Sequence, residues 1–270
     1  MYQVVASDLD GTLLNGEHQL DARTVDTVRR IAARGVHIVL ATGRHAVDVA
    51  GIRDVLGVHP YLISSNGARV HAPDGTVIHA RDVPAERVRE LTGGAIAGEH
   101  GRVSVSLFTE DSWLIDRELP YLLDAHQDSG FAYRCTDLGA HDGQGVAKVL
   151  YTGTPEDLAE VEKRLLQRFG DTLYITYTQA DFLEAMAPDV SKGRALRIVL
   201  DRLGSTPEHC IAFGDNLNDI DMLELVGHPY LMANAHPDLF EQLPQVPRIG
   251  RNDEGAVASQ LDQLFADGSP

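Results

Sequence analysis

Short runs of consecutive apolar residues alternate along this chain with segments whose apolar positions recur every three or four residues. Val4 to Ala6, Val36 to Leu40 (apart from His37), Tyr61 to Ile63 and Cys210 to Phe213 are continuous apolar runs, the pattern of strands buried on both faces. Between the first two runs, Val25, Val28, Ile31 and Ala32 fall at helical spacing, with Asp21 placed as N-cap and Gly35 as the stop. A second helix is predicted over roughly His45 to Leu56. From Ser191 the rhythm resumes, with helices over 195–203, 220–226 and 256–265 and a short strand at 230–232. Apolar strands alternating with helices define the α/β class, here a doubly wound parallel sheet. Right-handed crossovers bring the carboxyl ends of such strands to one edge, where ligands bind.

The middle of the chain follows another rule. Ala68 to Ala80 reads as a hairpin turning at Asp74-Gly75, and Pro84 opens a helix running toward His100. Val103 to Leu107 alternates apolar and polar, which predicts a half-exposed strand. A helix over Leu119 to Gln127 and a strand over Val146 to Tyr151 follow. Pro155 to Phe169 is amphipathic through Leu158, Val161, Leu165 and Phe169, and strands at 173–178 and 182–187 complete the region. The expectation is an inserted α+β domain over 82–187 with a mainly antiparallel sheet, one face covered and one wet. It interrupts a core formed by 1–81 and 188–270.

Charge narrows the partners. Lys and Arg number 23 against 40 Asp and Glu, a formal net charge of −17. Such a surface argues against nucleic acid and against anionic membrane, and a site for a phosphorylated ligand must carry its own positive charge. Cys135 and Cys210 match no metal or disulfide spacing, and the 12 histidines show neither HxH nor HxxxH, so no zinc site is expected. No apolar run approaches the ~20 residues that span a bilayer. The first strand begins at once, without a charged leader and apolar stretch, so a cytoplasmic protein is expected.

The first apolar run ends in Ser7-Asp8-Leu9-Asp10-Gly11. Residues two apart on an extended segment point the same way, so Asp8 and Asp10 can project together from the strand's end. Neighbouring carboxylates repel unless a proton or cation relieves them, and a hard divalent ion such as Mg²⁺ is the usual partner in phosphate chemistry. The plainer alternative is a pair of turn-capping carboxylates. Thr42, Lys192 and the group Asp215, Asn218 and Asp219 fall at corresponding places. Singly, Thr42 reads as a capping hydroxyl, Lys192 as a solvated lysine, and Asp215 and Asp219 as helix caps. Those readings do not explain why all four clusters share one sheet edge.

Five segments together resemble the haloacid dehalogenase-like phosphatase superfamily and, within it, the Cof-type subfamily with a C2-type cap. They are Asp8-Leu9-Asp10-Gly11-Thr12-Leu13-Leu14, Ala41-Thr42-Gly43-Arg44, Ser65-Asn66-Gly67-Ala68, Val190-Ser191-Lys192-Gly193, and Gly214 through Met222. The resemblance implies that Asp8 attacks phosphorus and forms an aspartyl-phosphate, while Asp10 protonates the leaving oxygen and then activates water. It implies Mg²⁺ held by Asp8, the backbone carbonyl of Asp10 and Asp215, with Asp219 in support. The Leu9 and Gly43 N–H groups, the Thr42 hydroxyl, Lys192 and Asn218 are implied phosphate contacts, and Thr12 is expected to fix the turn after Asp10. Arg44 reads equally as a substrate contact or an ion-pair partner, and Asn66 as a further substrate contact. Asp189 and Ala233-Asn234 depart from the family pattern near the pocket loops. The expected activity is hydrolysis of a small phosphorylated metabolite, a sugar phosphate or a phosphorylated cofactor, with selectivity in the inserted domain. The alternatives are a phosphomutase of similar fold and a non-catalytic protein that binds a phospho-ligand.

Overall fold

The computed structural model describes residues 2–98, 101–126 and 129–266. Contacts divide the chain into two compact units: 1–44, 49–79 and 191–270 form one, and 45–48 with 80–190 form the other.

The first unit opens with β1 (Val4–Ser7), α1 (Ala22–Ala32), β2 (His37–Ala41), α2 (Ala46–Leu56), β3 (Tyr61–Ser64), β4 (Arg69–His71) and β5 (Val77–Ala80). Asp21 caps α1 as expected, its carboxylate accepting from the Thr24 N–H at 2.9 Å. β1 pairs in parallel with β2, and β2 with β3, whereas β4 runs antiparallel to β3.

Residues 80–190 carry α3 (Ala85–Leu91), α4 (Gly94–Ala97), β6 (Ser104–Phe108), β7 (Trp113–Ile115), β8 (Tyr133–Cys135), β9 (Lys148–Thr152), α5 (Pro155–Phe169), β10 (Tyr174–Gln179) and β11 (Phe182–Met186). Their six-stranded sheet has the order β10-β11-β9-β6-β7-β8 and is antiparallel except between β7 and β8.

The chain then returns to the first unit with α6 (Lys192–Leu203), β12 (Cys210–Gly214), α7 (Ile220–Leu225), β13 (His228–Leu231), α8 (Pro237–Gln242) and α9 (Ala256–Leu264). The seven-stranded sheet order is β13-β12-β1-β2-β3-β4-β5, with β1 flanked in parallel by β12 and β2. Alternation along the strands explains the unbroken apolar runs. Val4, Ala6, Val39, Ala41, Ile63 and Ala212 pack with Leu196, Val199 and Leu200 of α6. Val5, Leu40, Leu62, Ile211 and Phe213, out of phase with them, are buried as well. The central position of β1 places its carboxyl end between the loops that follow β12 and β2.

The structure corrects the sequence expectation for 80–190 in several places. β6 is buried along its whole length, not half-exposed. Val105 and Leu107 pack with α3 and α5 residues, while Phe108 joins Trp113, Ile115, Leu122, Phe131 and Leu150 on the other side. Two polar groups on that side are tied down: Ser104 donates to Asp116 at 2.5 Å, and buried Lys148 pairs with buried Glu184 at 2.5 Å. The helix opened by Pro84 breaks after Leu91, where Gly93 interrupts it; its expected end at Glu99 and His100 lies outside the described residues. Pro120–His126 turns more tightly than an α-helix, Leu122 N–H bonding Leu119 C=O at 2.9 Å, and Gln127 lies outside the described residues. β7, β8 and α8 were not anticipated, each being too short for periodicity to register. His45–Asp48 groups with 80–190 because His45 stacks on Phe131 at 4.3 Å and Asp48 accepts from Ser129 at 2.6 Å.

Leu165, fully buried on α5, tests this packing. Leu165→Ala is expected to cost about 2–5 kcal/mol by chemical denaturation. A loss below ~1 kcal/mol would mean that α5 does not seal the helix-covered face.

Candidate active site

Asp8 follows the last residue of β1, and its N–H donates to Phe213 C=O of β12 at 3.1 Å. The chain then turns tightly, Leu13 N–H bonding Asp8 C=O at 3.3 Å and Leu14 N–H bonding Leu9 C=O at 2.9 Å. Gly11 makes this turn possible: its φ is +81°, and a Cβ there would collide with the Asp215 carboxylate. Thr12 donates its hydroxyl to Asp215 Oδ1 at 2.7 Å. It therefore fixes the turn, as expected, by clamping it to Asp215. Asn234, noted in the sequence only as a departure from pattern, supports the same turn: its Nδ2 donates to Gly11 C=O at 2.8 Å.

Lys192 opens α6, capped by Ser191, whose hydroxyl accepts from the Arg194 N–H at 3.2 Å. Its side chain is 1% exposed, which removes the solvated-lysine reading. Nζ donates to Asp8 Oδ1 at 2.5 Å and to Asp219 Oδ1 at 2.7 Å. Asp219 is fully buried, and its Oδ2 accepts from the Asp215 and Asn216 N–H groups, each at 3.0 Å. It thus folds the loop after β12 and steadies the ammonium at once. Asp221, which sequence reasoning passed over, accepts from the Gly193 N–H at 3.0 Å and pins the start of α6 to α7.

Asp8, Asp215 and Asp219 each present an oxygen within 4.8 Å of the others. Burial and the Asp219 and Asp215 charges push the Asp8 carboxyl well above the ordinary range, against the pull of Lys192. Burial and the Asp219 charge raise Asp215 to about 7. Burial disfavours the charge of Lys192, but Asp219 and Asp8 outweigh it, and the ammonium is held above its ordinary range. One cation among three acidic side chains leaves negative charge uncompensated, and hard oxygen donors at this spacing fit Mg²⁺.

Asp10 finds its partners outside this cluster, although its charge adds to what raises Asp8 and Asp215. Its carboxylate accepts from Arg44 Nε at 2.7 Å and from Arg44 Nη2, and lies 2.9 Å from His18 Nδ1. Burial raises its pKa, but the His18 and Arg44 interactions outweigh that and hold it below the usual carboxylate range. Of the two readings of Arg44, the structure displays the ion pair. His18 was missed, and neither its position eight residues after Asp10 nor its spacing from other histidines carried a signal.

Thr42 is buried at the end of β2, its hydroxyl accepting from the Arg44 N–H at 3.0 Å. Asn218 Nδ2 donates to Asn66 Oδ1 at 2.9 Å, and Asn66 is buried. Leu9 is also buried, within the turn after β1. Asp8, Leu9, Asp10, Thr42, Gly43, Arg44, Asn66, Lys192, Asp215, Asn218 and Asp219 all belong to the first unit, on loops at the carboxyl edge of its sheet or at the start of α6.

A family model described as haloacid dehalogenase-like hydrolase matches residues 5–261. A Haemophilus influenzae protein carrying only the general name of phosphatase is 38% identical over 266 residues, covering 98% of this chain and 97% of its own. The HMP-PP phosphatase of Cronobacter sakazakii is 36% identical over 261 residues, covering 97% of this chain and 95% of its own. The crystal structure of a haloacid dehalogenase-like hydrolase from Bacteroides thetaiotaomicron superposes with a TM-score of 0.86 at 26% identity, covering 98% of this chain and 100% of that one. The chain belongs to the haloacid dehalogenase-like hydrolases, and within them it is an enzyme of the phosphoric monoester hydrolase class.

Removing Lys192 tests how the site is held together. Lys192→Met leaves two buried carboxylates without their cation, an expected loss of about 3–5 kcal/mol in metal-free urea unfolding at neutral pH. A loss under ~1 kcal/mol would contradict a buried, charged Lys192.

Proposed function

We propose that this chain is a Mg²⁺-dependent phosphatase that hydrolyses a small phosphorylated metabolite through an aspartyl-phosphate on Asp8. The observation that carries the reading is the group of buried Asp8 and Asp219, both bonded to Lys192, with half-buried Asp215 beside them, their oxygens within 4.8 Å of one another. Asp8 and Asp215 would hold the ion, joined by the Asp10 backbone carbonyl. Both Asp219 oxygens already accept hydrogen bonds, so Asp219 supports from behind. When bound, Mg²⁺ supplies positive charge that lets an anionic nucleophile meet an anionic phosphate.

Lys192 grips Asp8 Oδ1, so the other carboxylate oxygen bonds to phosphorus while the ester P–O bond breaks. Lys192, Thr42, Asn218 and the Leu9 and Gly43 N–H groups donate to phosphoryl oxygens that gather negative charge. Asp10 gives its proton to the departing oxygen, then takes one from the water that attacks phosphorus and frees Asp8. As held here, Asp10 is an acceptor bound to Arg44 and His18. Its acid role requires those bonds to loosen, and an arriving phosphate supplies the competing anion for Arg44.

This machinery treats one phosphorylated compound much like another, so we assign selectivity to the inserted residues 80–190. The relatives named HMP-PP phosphatase make HMP-PP an early candidate, alongside sugar phosphates and phosphorylated cofactors. Asp8→Asn removes the nucleophile while preserving shape. It is expected to lower phosphate release from an aryl phosphate by roughly 10³-fold or more, with an unchanged circular dichroism spectrum. Retained turnover in that variant would remove Asp8 from the chemistry, and wild-type turnover unaffected by chelation would remove Mg²⁺.

A further inference from the structure

Asn66 occupies a place that the chemistry above leaves unexplained. It follows β3, it is 1% exposed, and its Oδ1 accepts from Asn218 Nδ2 at 2.9 Å. In the sheet, β3 is separated from β12 by β2 and β1, so this single bond joins loops lying on either side of the nucleophile's strand. The backbone beside it is tied to the loop after β2 as well: Asn66 N–H donates to Thr42 C=O at 3.0 Å, and Ser65 N–H to Arg44 C=O at 2.9 Å. To reach this position Ser65 and Asn66 adopt φ of +47° and +56°, consecutive left-handed conformations that side chains other than glycine avoid. Gly43 lies so near that a Cβ on it would stand 3.0 Å from Asn66 Oδ1.

Asn218 is the donor in this pair. Its Oδ1 is buried and has no hydrogen-bond partner among the described residues. Nothing on the oxygen side fixes the carboxamide, so the acceptor on Asn66 decides which edge of it faces the phosphoryl site. A carboxamide turned the wrong way would present an oxygen to an anionic phosphate. Held as observed, it spends one N–H on Asn66 and keeps the second for a phosphoryl oxygen.

We infer that Asn66 is a positioning residue: its side-chain oxygen orients Asn218 so that the Asn218 amide donates to the transferring phosphoryl group. This rests on the phosphatase reading and adds to it a residue that touches no substrate. It also replaces the expectation that Asn66 contacts substrate directly.

The test is a double-mutant cycle on phosphate release from an aryl phosphate in saturating Mg²⁺, using wild type, Asn66→Gly, Asn218→Ala and the double variant. Glycine adopts φ near +56° without strain and keeps the backbone bonds to Thr42, so Asn66→Gly removes the carboxamide and preserves the loop. Asn66→Gly is expected to lower kcat/KM about tenfold and to weaken inhibition by orthovanadate to a similar extent. The double variant is expected to be no worse than Asn218→Ala alone, since Asn66 acts only through Asn218. Wild-type kcat/KM in Asn66→Gly, or losses that multiply in the double variant, would overturn the positioning role and leave the phosphatase reading standing. A wild-type protein that releases no phosphate from any ester would overturn both.

Discussion

A single buried ammonium holds this site together. Lys192 donates to Asp8 and Asp219, and all three side chains are withdrawn from water. Burying a charge is costly unless it is paired and hydrogen-bonded, so the three depend on one another. The sheet makes the arrangement possible: β1 delivers Asp8 between its neighbours β12 and β2, the loop after β12 delivers Asp219, and α6 delivers Lys192 at its first turn. Because one cation faces three carboxylates, the arrangement is electrostatically incomplete, and that shortage is what a divalent ion would make good.

Around this centre the side chains divide the labour of holding the loops. Thr12 and Gly11 fit the turn after β1 closely against Asp215, and Asn234 fastens the same turn from the loop after β13. Asp219 takes two backbone N–H groups and so shapes the loop that carries Asp215. Arg44 and His18 hold Asp10 as an anion through bonds that none of the three clustered carboxylates makes. The two carboxylates proposed to react are set apart by environment: Asp8 is enclosed beside an ammonium, and Asp10 is partly exposed beside an arginine.

Much of this was legible in the sequence because the core strands are apolar on both faces and end in polar loops. Four apolar runs located β1, β2, β3 and β12, and the residues just beyond them supplied Asp8, Thr42, Asn66 and Asp215. Residues 80–190 were harder to read. Ser104 and Ser106 in β6 resemble solvent-facing positions, yet they are buried, because a second apolar cluster and the Lys148–Glu184 pair occupy that side. His18, and the parts played by Asp221 and Asn234, were invisible for another reason. Each acts by a hydrogen bond to a residue distant in sequence or hidden in a turn, and such bonds leave no periodicity. The same holds for the Asn66–Asn218 bond, whose partners are 152 positions apart.

The proposed Mg²⁺ would satisfy carboxylates that are strained by their own charge. Burial raises Asp8 and Asp215, the latter to about 7. A carboxyl raised on folding stabilises the protein while it is protonated, and that contribution is lost as pH climbs from the ordinary carboxylate range through the raised value. The most direct measurement is therefore the melting temperature with Mg²⁺ and with chelator, followed from about pH 5 to about pH 8. The metal-free protein should weaken across this interval through Asp215, and the increment given by Mg²⁺ should grow as the carboxyls ionise. A Mg²⁺ increment that is absent, or that stays constant across the interval, would contradict the account.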